Sequence, residues 1–266
     1  MKQKFEIPYN FDHDLVEQLL PYKDHIDFIY MPSYYEDGAN SRKNLILDGS
    51  TPSTWEEYVS HVNNIKENFD IGVLMQSNCT LDLIDKYYNL GIKIFVINDN
   101  ELAITAKEKY SDIRCILSIT SILSLEDIKT NDYSMYDEIV LFFNFCRQVQ
   151  LLKELPTEYK YVLILNSHCV YNCNRCSTHN TLNADTLEEY KEKERELIEE
   201  YCAIFREDRA FIQPQDLIYF NDYITNYKLV DRLMNTEEII YEIARYSKDY
   251  DTTKKDISWY MLGGEQ

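Results

Sequence analysis

The residues with the clearest chemical potential are three cysteines in the segment Asn166-Ser-His-Cys169-Val-Tyr-Asn-Cys173-Asn-Arg-Cys176-Ser-Thr-His179, spaced C-x3-C-x2-C. Thiolates bind iron and zinc, and thiolates this close on one stretch reach the corners of a single cluster. A cysteine is often just a small apolar core residue. Three together amid Asn, Arg and Ser do not have that character, so the expectation is a metal centre, foremost a [4Fe–4S] cluster. Zinc is the competing metal, although its sites favour paired C-x2-C units or cysteines joined by histidines. A fourth ligand must come from elsewhere in the chain. Cys202 is the candidate, with His179 and His168 as alternatives. Cys79, Cys115 and Cys146 read as structural.

The elements that must position such a centre are short apolar runs alternating with amphipathic stretches. Strands are expected over 26–31, 71–75, 92–97, 115–119, 138–143, 161–165, 210–213 and 227–230. Continuous runs of β-formers of this kind suit parallel strands covered on both faces. Helices are expected over 55–67, 80–89 (with Gly91 as the C-terminal stop), 101–110, 147–155, 187–201 and 236–246, the last capped by Asn235 or Thr236. Repeated strand–helix alternation with eight strands predicts an α/β fold, a closed (β/α)8 TIM-like barrel forming a single domain over 1–266. An open doubly wound sheet is the alternative, and no G-x-G-x-x-G supports it. The cysteine-bearing loop, about 166–208, then follows the sixth strand of this count. In such barrels function gathers where strands end. There the sequence places Arg42, Asn98, Asn144, Arg147, Asn166 and Arg232. The arginines are candidates for binding a carboxylated substrate, because the guanidinium fork matches a carboxylate. The asparagines are candidates for neutral hydrogen bonds. For any one arginine, a surface ion pair is the ordinary explanation.

The chain has 266 residues, 45% of them hydrophobic, and a formal net charge of −19. So acidic a surface opposes a phosphate backbone, whose binding rests on Lys and Arg releasing counterions, so no direct nucleic-acid partner is expected. No apolar run approaches the roughly 20 residues of a membrane span. No apolar leader segment is visible, so a soluble cytoplasmic protein is expected. An odd number of cysteines, seven, with three clustered, suggests metal binding in a reducing compartment rather than a disulfide framework.

Two resemblances bear on these residues. The C-x3-C-x2-C spacing resembles the cluster motif of radical S-adenosylmethionine enzymes. There, however, the motif follows the first barrel strand, whereas here it follows the sixth expected strand. The second resemblance spans roughly residues 25 to 245. Leu163-Ile-Leu-Asn166-Ser-His-Cys169-Val-Tyr-Asn-Cys173 resembles a cysteine-bearing strand and loop of the peptidase U-32 (collagenase-like) superfamily. Phe211-Ile-Gln-Pro214-Gln-Asp216-Leu resembles its I-R-P-E-D-L element, with Gln213 and Gln215 standing for Arg and Glu. Tyr227-Lys-Leu-Val-Asp-Arg232 resembles its F-K-I-x-G-R element, with Asp231 standing for Gly. Phe95-Val-Ile-Asn98-Asp and Leu117-Ser-Ile-Thr-Ser121 resemble its third and fourth strand ends. Cys169, Cys173 and Cys202 match the superfamily's cysteine pattern, while Cys176 stands where many relatives carry another residue.

This second resemblance implies an iron–sulfur barrel, because several members hold a [4Fe–4S] cluster. Those members act in oxygen-independent hydroxylation of quinone precursors or RNA bases. The function expected first is therefore an iron–sulfur oxidoreductase, hydroxylase-like, acting in biosynthesis on a small molecule or peptide, with a protein partner or electron donor. A radical S-adenosylmethionine enzyme is the second reading, in which Cys202 is dispensable. A non-catalytic metal-binding partner subunit is the third. Peptide hydrolysis, suggested only by the superfamily's name, comes last, since neither G-x-S-x-G nor H-E-x-x-H is present.

Overall fold

The computed structural model describes residues 3–39, 51–121, 123–170, 185–201, 209–230 and 234–248. Eight parallel strands close into a barrel: β1 (Phe5–Pro8), β2 (Ile26–Pro32), β3 (Ile71–Leu74), β4 (Ile94–Ile97), β5 (Arg114–Leu117), β6 (Glu138–Val140), β7 (Tyr161–Ile164) and β10 (Asn226–Lys228). β10 closes the ring between β7 and β1. Two further strands, β8 (Asn166–Val170) and β9 (Arg209–Phe211), form a separate antiparallel pair.

Helices α1 (Asp14–Leu19), α2 (Trp55–Lys66), α3 (Leu81–Asn89), α4 (Asn100–Lys109), α5 (Leu125–Thr130), α6 (Val149–Leu152), α7 (Leu187–Tyr201) and α8 (Thr236–Tyr246) lie between or after the strands. Most of their starts follow the rule that a short polar side chain takes up an unpaired N–H of the first turn, α1 and α6 being the exceptions. Thr54 accepts from the Glu57 amide, Thr80 from Leu83 and Asp99 from Leu102. Ser124 with Asp127, and Asn235 with Glu238, form reciprocal capping boxes. Gly91 follows α3 at φ 85°, the left-handed conformation that ends a helix at least cost in glycine.

Alternation along the strands divides the core in two. One set of residues, including Phe5, Ile7, Ile29, Met31, Val73, Phe95, Leu117, Leu163 and Tyr227, packs outward with the helices. The other set, Phe28, Tyr30, Leu74, Ile94, Val96, Ile116, Val140, Val162 and Ile164, fills the barrel. Gly72 belongs to the inward set by parity. A Cβ there would stand 2.5 Å from the Phe28 ring, so the glycine makes room for that aromatic side chain.

The barrel expected from the sequence is present, with one strand exchanged. Residues 210–213 do not enter it. They fall around β9, which pairs with β8 through Asn166 opposite Phe211. The eighth place belongs to β1, hydrogen-bonded to both β2 and β10. A strand of four residues with a charge at its centre and a proline at its end gives no apolar run. The cysteine-bearing segment therefore follows the seventh barrel strand rather than the sixth. The helix expected over 147–155 is also shorter. A 3-10 turn over Phe143–Arg147 precedes α6, and Gln148 at φ −131°, ψ 59° interrupts the two. Helices α1 and α5 were not anticipated. Among the described residues no helix is long and apolar enough to cross a membrane.

Candidate functional site

The mouth at the C-terminal ends of the strands is where the inward-facing pattern changes from apolar to polar. Continuing the same parity, Leu74 is followed by Gln76, Val96 by Asn98, Ile116 by Ser118 and Ile164 by Asn166. The Gln76 amide nitrogen donates to the Ser118 hydroxyl at 2.9 Å, reaching over the end of β4 from β3 to β5. Thr120 stands 3.0 Å from the same hydroxyl, and the exposed Asn98 amide donates to Thr120 at 3.4 Å. These groups are uncharged. They present donors and acceptors without the desolvation cost of an ion.

Asn166 begins β8 and is buried. Its amide nitrogen donates to the Val230 carbonyl at 3.0 Å, and its oxygen accepts from the Val230 N–H at 2.7 Å. Both ends of one side chain thus hold the chain just beyond β10. Cys169 lies three residues further along the same strand. Asn144 sits half-buried on the 3-10 turn after β6, where it has polar partners. Arg147 ends that turn. Arg42, Cys173, Cys176, Cys202, His179 and Arg232 lie outside the described residues. The backbone therefore brings Asn98, Asn144, Arg147, Asn166 and Cys169 to strand ends or the segments following them.

The remaining described cysteines have a different character. Cys115 and Cys146 are fully buried, and Cys146 donates its thiol to the Ile164 carbonyl at 3.3 Å. Burial pushes the thiols of Cys79 and Cys115 up to about 12, which holds them protonated and away from metal ligation. Among the described residues no group of three or more metal-binding side chains occurs.

Sequence reasoning missed a second polar region, at the opposite end and along one side of the barrel interior. Arg114, Glu138 and Asn226 open β5, β6 and β10, and Asp27 lies near the start of β2, so these groups form the barrel floor. Arg114 donates to Asp27 and to Glu138, each at 2.6 Å. Asn226 donates to the same two carboxylates, at 3.1 and 3.0 Å. A cavity of about 400 Å³ opens there, lined by Asp27, Arg114, Asp137, Glu138, Lys160, Thr225 and Asn226. Two residues on from Asn226, Lys228 forms an ion pair of 2.5 Å with Glu6 of β1. Its ammonium sits 3.7 Å from the centre of the Tyr30 ring, a cation–π contact inside the barrel.

Burial raises the Glu138 carboxyl to about 7. Arg114 beside it pulls the other way, while Glu6 and Asp27 add to the rise. Burial lowers the Arg114 guanidinium, but the Glu138 and Asp27 carboxylates outweigh this and hold it above its ordinary value. The signal for this region was a charge at an inward position of a buried strand: Glu6 between Phe5 and Ile7, and Lys228 between Tyr227 and Leu229.

Comparison with known proteins fixes the fold. No family model matches the chain, and no curated protein matches it. Among solved structures it is similar to the U32 peptidase Mk0906, at 12% identity and TM-score 0.54, covering 87% of this chain and 93% of that one. TrpF from Jonesia denitrificans matches at 7% identity and TM-score 0.52, over 92% of this chain and 96% of that one. Tryptophan synthase from M. tuberculosis matches at 9% identity and TM-score 0.54, over 92% of each chain. The barrel is therefore of the TIM type, and the U32 peptidase shares it. Identities this low speak to fold and not to chemistry.

Proposed function

We propose that this protein is an iron–sulfur barrel enzyme carrying out a redox or hydroxyl-transfer step, oxygen-independent, on a small carboxylated molecule or a peptide. The observation that supports this most is the attachment of the cysteine segment. β8, which carries Cys169, starts two residues after the end of β7, at the end of the barrel where such folds place their chemistry. The donor set fits the group, since four thiolates are the ordinary ligands of a cubane cluster. The two described cysteines whose thiols burial raises are unsuited to ligate it. In this reading Cys169, Cys173, Cys176 and Cys202 hold the cluster, with zinc as the competing metal. The cluster, when bound, supplies one-electron transfer or an electrophilic iron.

The protein's own residues would bind and orient the substrate. Arg42, Arg147 and Arg232 are assigned to a substrate carboxylate, because a guanidinium binds it with two parallel hydrogen bonds. Asn98 and Asn144, with Gln76 and Ser118, are assigned neutral hydrogen bonds around the rest of the molecule. Asn166, also expected to bind substrate, would act by positioning, since both ends of its amide hold Val230. The net charge of −19 favours such substrates over nucleic acid.

Anaerobic purification with iron and sulfide analysis, on wild type and Cys202→Ala, tests this reading. About four irons and four sulfides per chain are expected for a cubane, with loss in the variant. A cluster retained in Cys202→Ala would instead favour three cysteine ligands and an open iron, and S-adenosylmethionine binding would then be measured. Zinc without iron, in protein never exposed to air, would overturn the enzyme assignment and leave a structural metal in a partner subunit.

A further inference from the structure

The chain of neutral groups across the mouth has a direction. Ser118 is buried, at 1% exposure. Three groups stand within hydrogen-bond distance of its hydroxyl oxygen: Gln76 Nε2 at 2.9 Å, the Thr120 backbone nitrogen at 3.3 Å and the Thr120 hydroxyl at 3.0 Å. The two nitrogens can only donate, and a hydroxyl oxygen has two lone pairs and one hydrogen. Both lone pairs of Ser118 are therefore taken. The remaining contact, between two hydroxyls, falls to the Ser118 hydrogen, which donates to Thr120. The opposite direction would bring a third donor to Ser118 and strand its own hydrogen in a buried place, which is costly.

Thr120 lies half-buried on the 3-10 turn Ile119–Ser121 that follows β5. Its oxygen accepts from Ser118 and, at 3.4 Å, from Asn98 Nδ2. Both of its lone pairs are then filled as well, and its hydrogen is the one left over, with no further partner among the described residues. The exposed Asn98 keeps its amide oxygen Oδ1 open, since among the described residues nothing donates to it. A fixed donor and an open acceptor thus stand side by side at the mouth, both on uncharged groups.

We propose that Thr120 is a specificity-determining residue of the mouth, giving its hydroxyl hydrogen to the carbonyl oxygen of a neutral amide while Asn98 Oδ1 takes the amide N–H. The inference rests on the proposed function only in taking the mouth as the substrate end, and it narrows the substrate to an amide-bearing molecule. An amide offers an acceptor and a donor together. A carboxylate would turn a lone pair toward Asn98 Oδ1 with no hydrogen to place there, and no charged side chain belongs to this set of contacts to offset its desolvation. Gln76 and Ser118 are positioning residues. Gln76 orients Ser118, and Ser118 orients Thr120, so the donor is set before the ligand arrives and no hydroxyl has to turn on binding.

The test uses acetamide as probe and acetate, the anion of the same shape, as comparison. The full-length protein is purified anaerobically, and binding is followed by NMR at the Asn98 side-chain amide. Acetamide should move this signal saturably and bind more tightly than acetate. Thr120→Val keeps the shape of the side chain and should weaken acetamide about fivefold, the size of one neutral hydrogen bond, while Thr120→Ser should retain it. Gln76→Glu is the sharper variant. A carboxylate at position 76 accepts the Ser118 hydrogen, Ser118 then accepts from the Thr120 hydroxyl, and the free donor is consumed. Acetamide should weaken as much as in Thr120→Val with Thr120 itself untouched, a result that a merely structural role for Thr120 would not give. Acetate bound as tightly as acetamide, or an Asn98 signal that acetamide does not move, would overturn the proposal. So would unchanged acetamide affinity in Thr120→Val, and in Gln76→Glu if the valine variant does not fold. Iron is measured on the same samples. Acetamide binding in protein that holds no iron would support this inference and remove the iron–sulfur reading, whereas iron-loaded protein that ignores acetamide would remove this inference alone.

Discussion

The two ends of this barrel are both polar, but in opposite ways. At the floor, Arg114, Asp27, Glu138 and Asn226 spend their hydrogen bonds on one another, so the polar groups find their partners within the protein. At the mouth, Gln76, Ser118, Thr120 and Asn98 are uncharged and linked in a loose chain, and Asn98 is open to solvent. A network closed on itself stabilises and specifies; an open neutral one leaves capacity for something else. The comparison teaches that polarity inside a barrel does not by itself mark a site. What matters is whether the polar groups are already satisfied.

The largest effect that would break this contrast is at the Glu6–Lys228 pair. Lys228→Met should lower stability by about 3–5 kcal/mol, because it strands a buried carboxylate. Converting Glu6 and Lys228 together to apolar residues should recover much of that loss, as urea denaturation would read. A single variant with wild-type stability would show that the pair is not matched as described. Gly72→Ala should cost about 1–3 kcal/mol, since its Cβ would meet the Phe28 ring in the packed interior. A smaller loss in thermal denaturation would mean that the interior yields more readily than its packing suggests.

A third effect concerns His61 of α2, which lies against Tyr9, just after β1. Burial pushes its imidazole down to about 4, with stacked His13 adding to the fall, and Nδ1 meets the Tyr9 hydroxyl at 2.9 Å. The folded state therefore favours the neutral ring. Its contribution is full above the unfolded value of about 6.5 and is lost as pH falls from there toward 4, by about 3 kcal/mol. His61→Gln should show a smaller acid-dependent loss over that window than wild type, followed by urea midpoints. Equal slopes would dismiss His61 as a source. The smallest effect belongs to the mouth. Asn98→Ala should change stability by no more than about 0.5 kcal/mol, as expected of an exposed side chain with one long hydrogen bond. A loss several times larger would make the mouth as structural as the floor and erase the distinction.

Much of the fold was legible in the sequence because buried parallel strands announce themselves. Runs such as Ile94 to Ile97 and Tyr161 to Ile164 are apolar on both faces, and the first lies between two helices capped by Thr80 and Asp99. β1 escaped because Glu6 interrupts its apolar residues, and the partner that makes the charge tolerable, Lys228, lies more than 200 residues away. Residues around β9 were taken for a barrel strand because Ala-Phe-Ile has the right composition, while the antiparallel choice depends on Asn166 being opposite. At the site, Asn98, Asn144, Arg147 and Asn166 were legible as residues after strands. That Asn166 clasps Val230 was not, since the two meet only when β7 and β10 are neighbours.

By itself the sequence determined the barrel's class, most of its strands and helix caps, and the cluster of thiols after a barrel strand. Each of these is a local property of composition, period or spacing. Tertiary structure alone decided which strand closed the ring, which charges met inside it and which asparagine was committed to the backbone. The physical reason is that a buried charge or amide is tolerated only with its partner in place, and those partners come from strands brought together by closure.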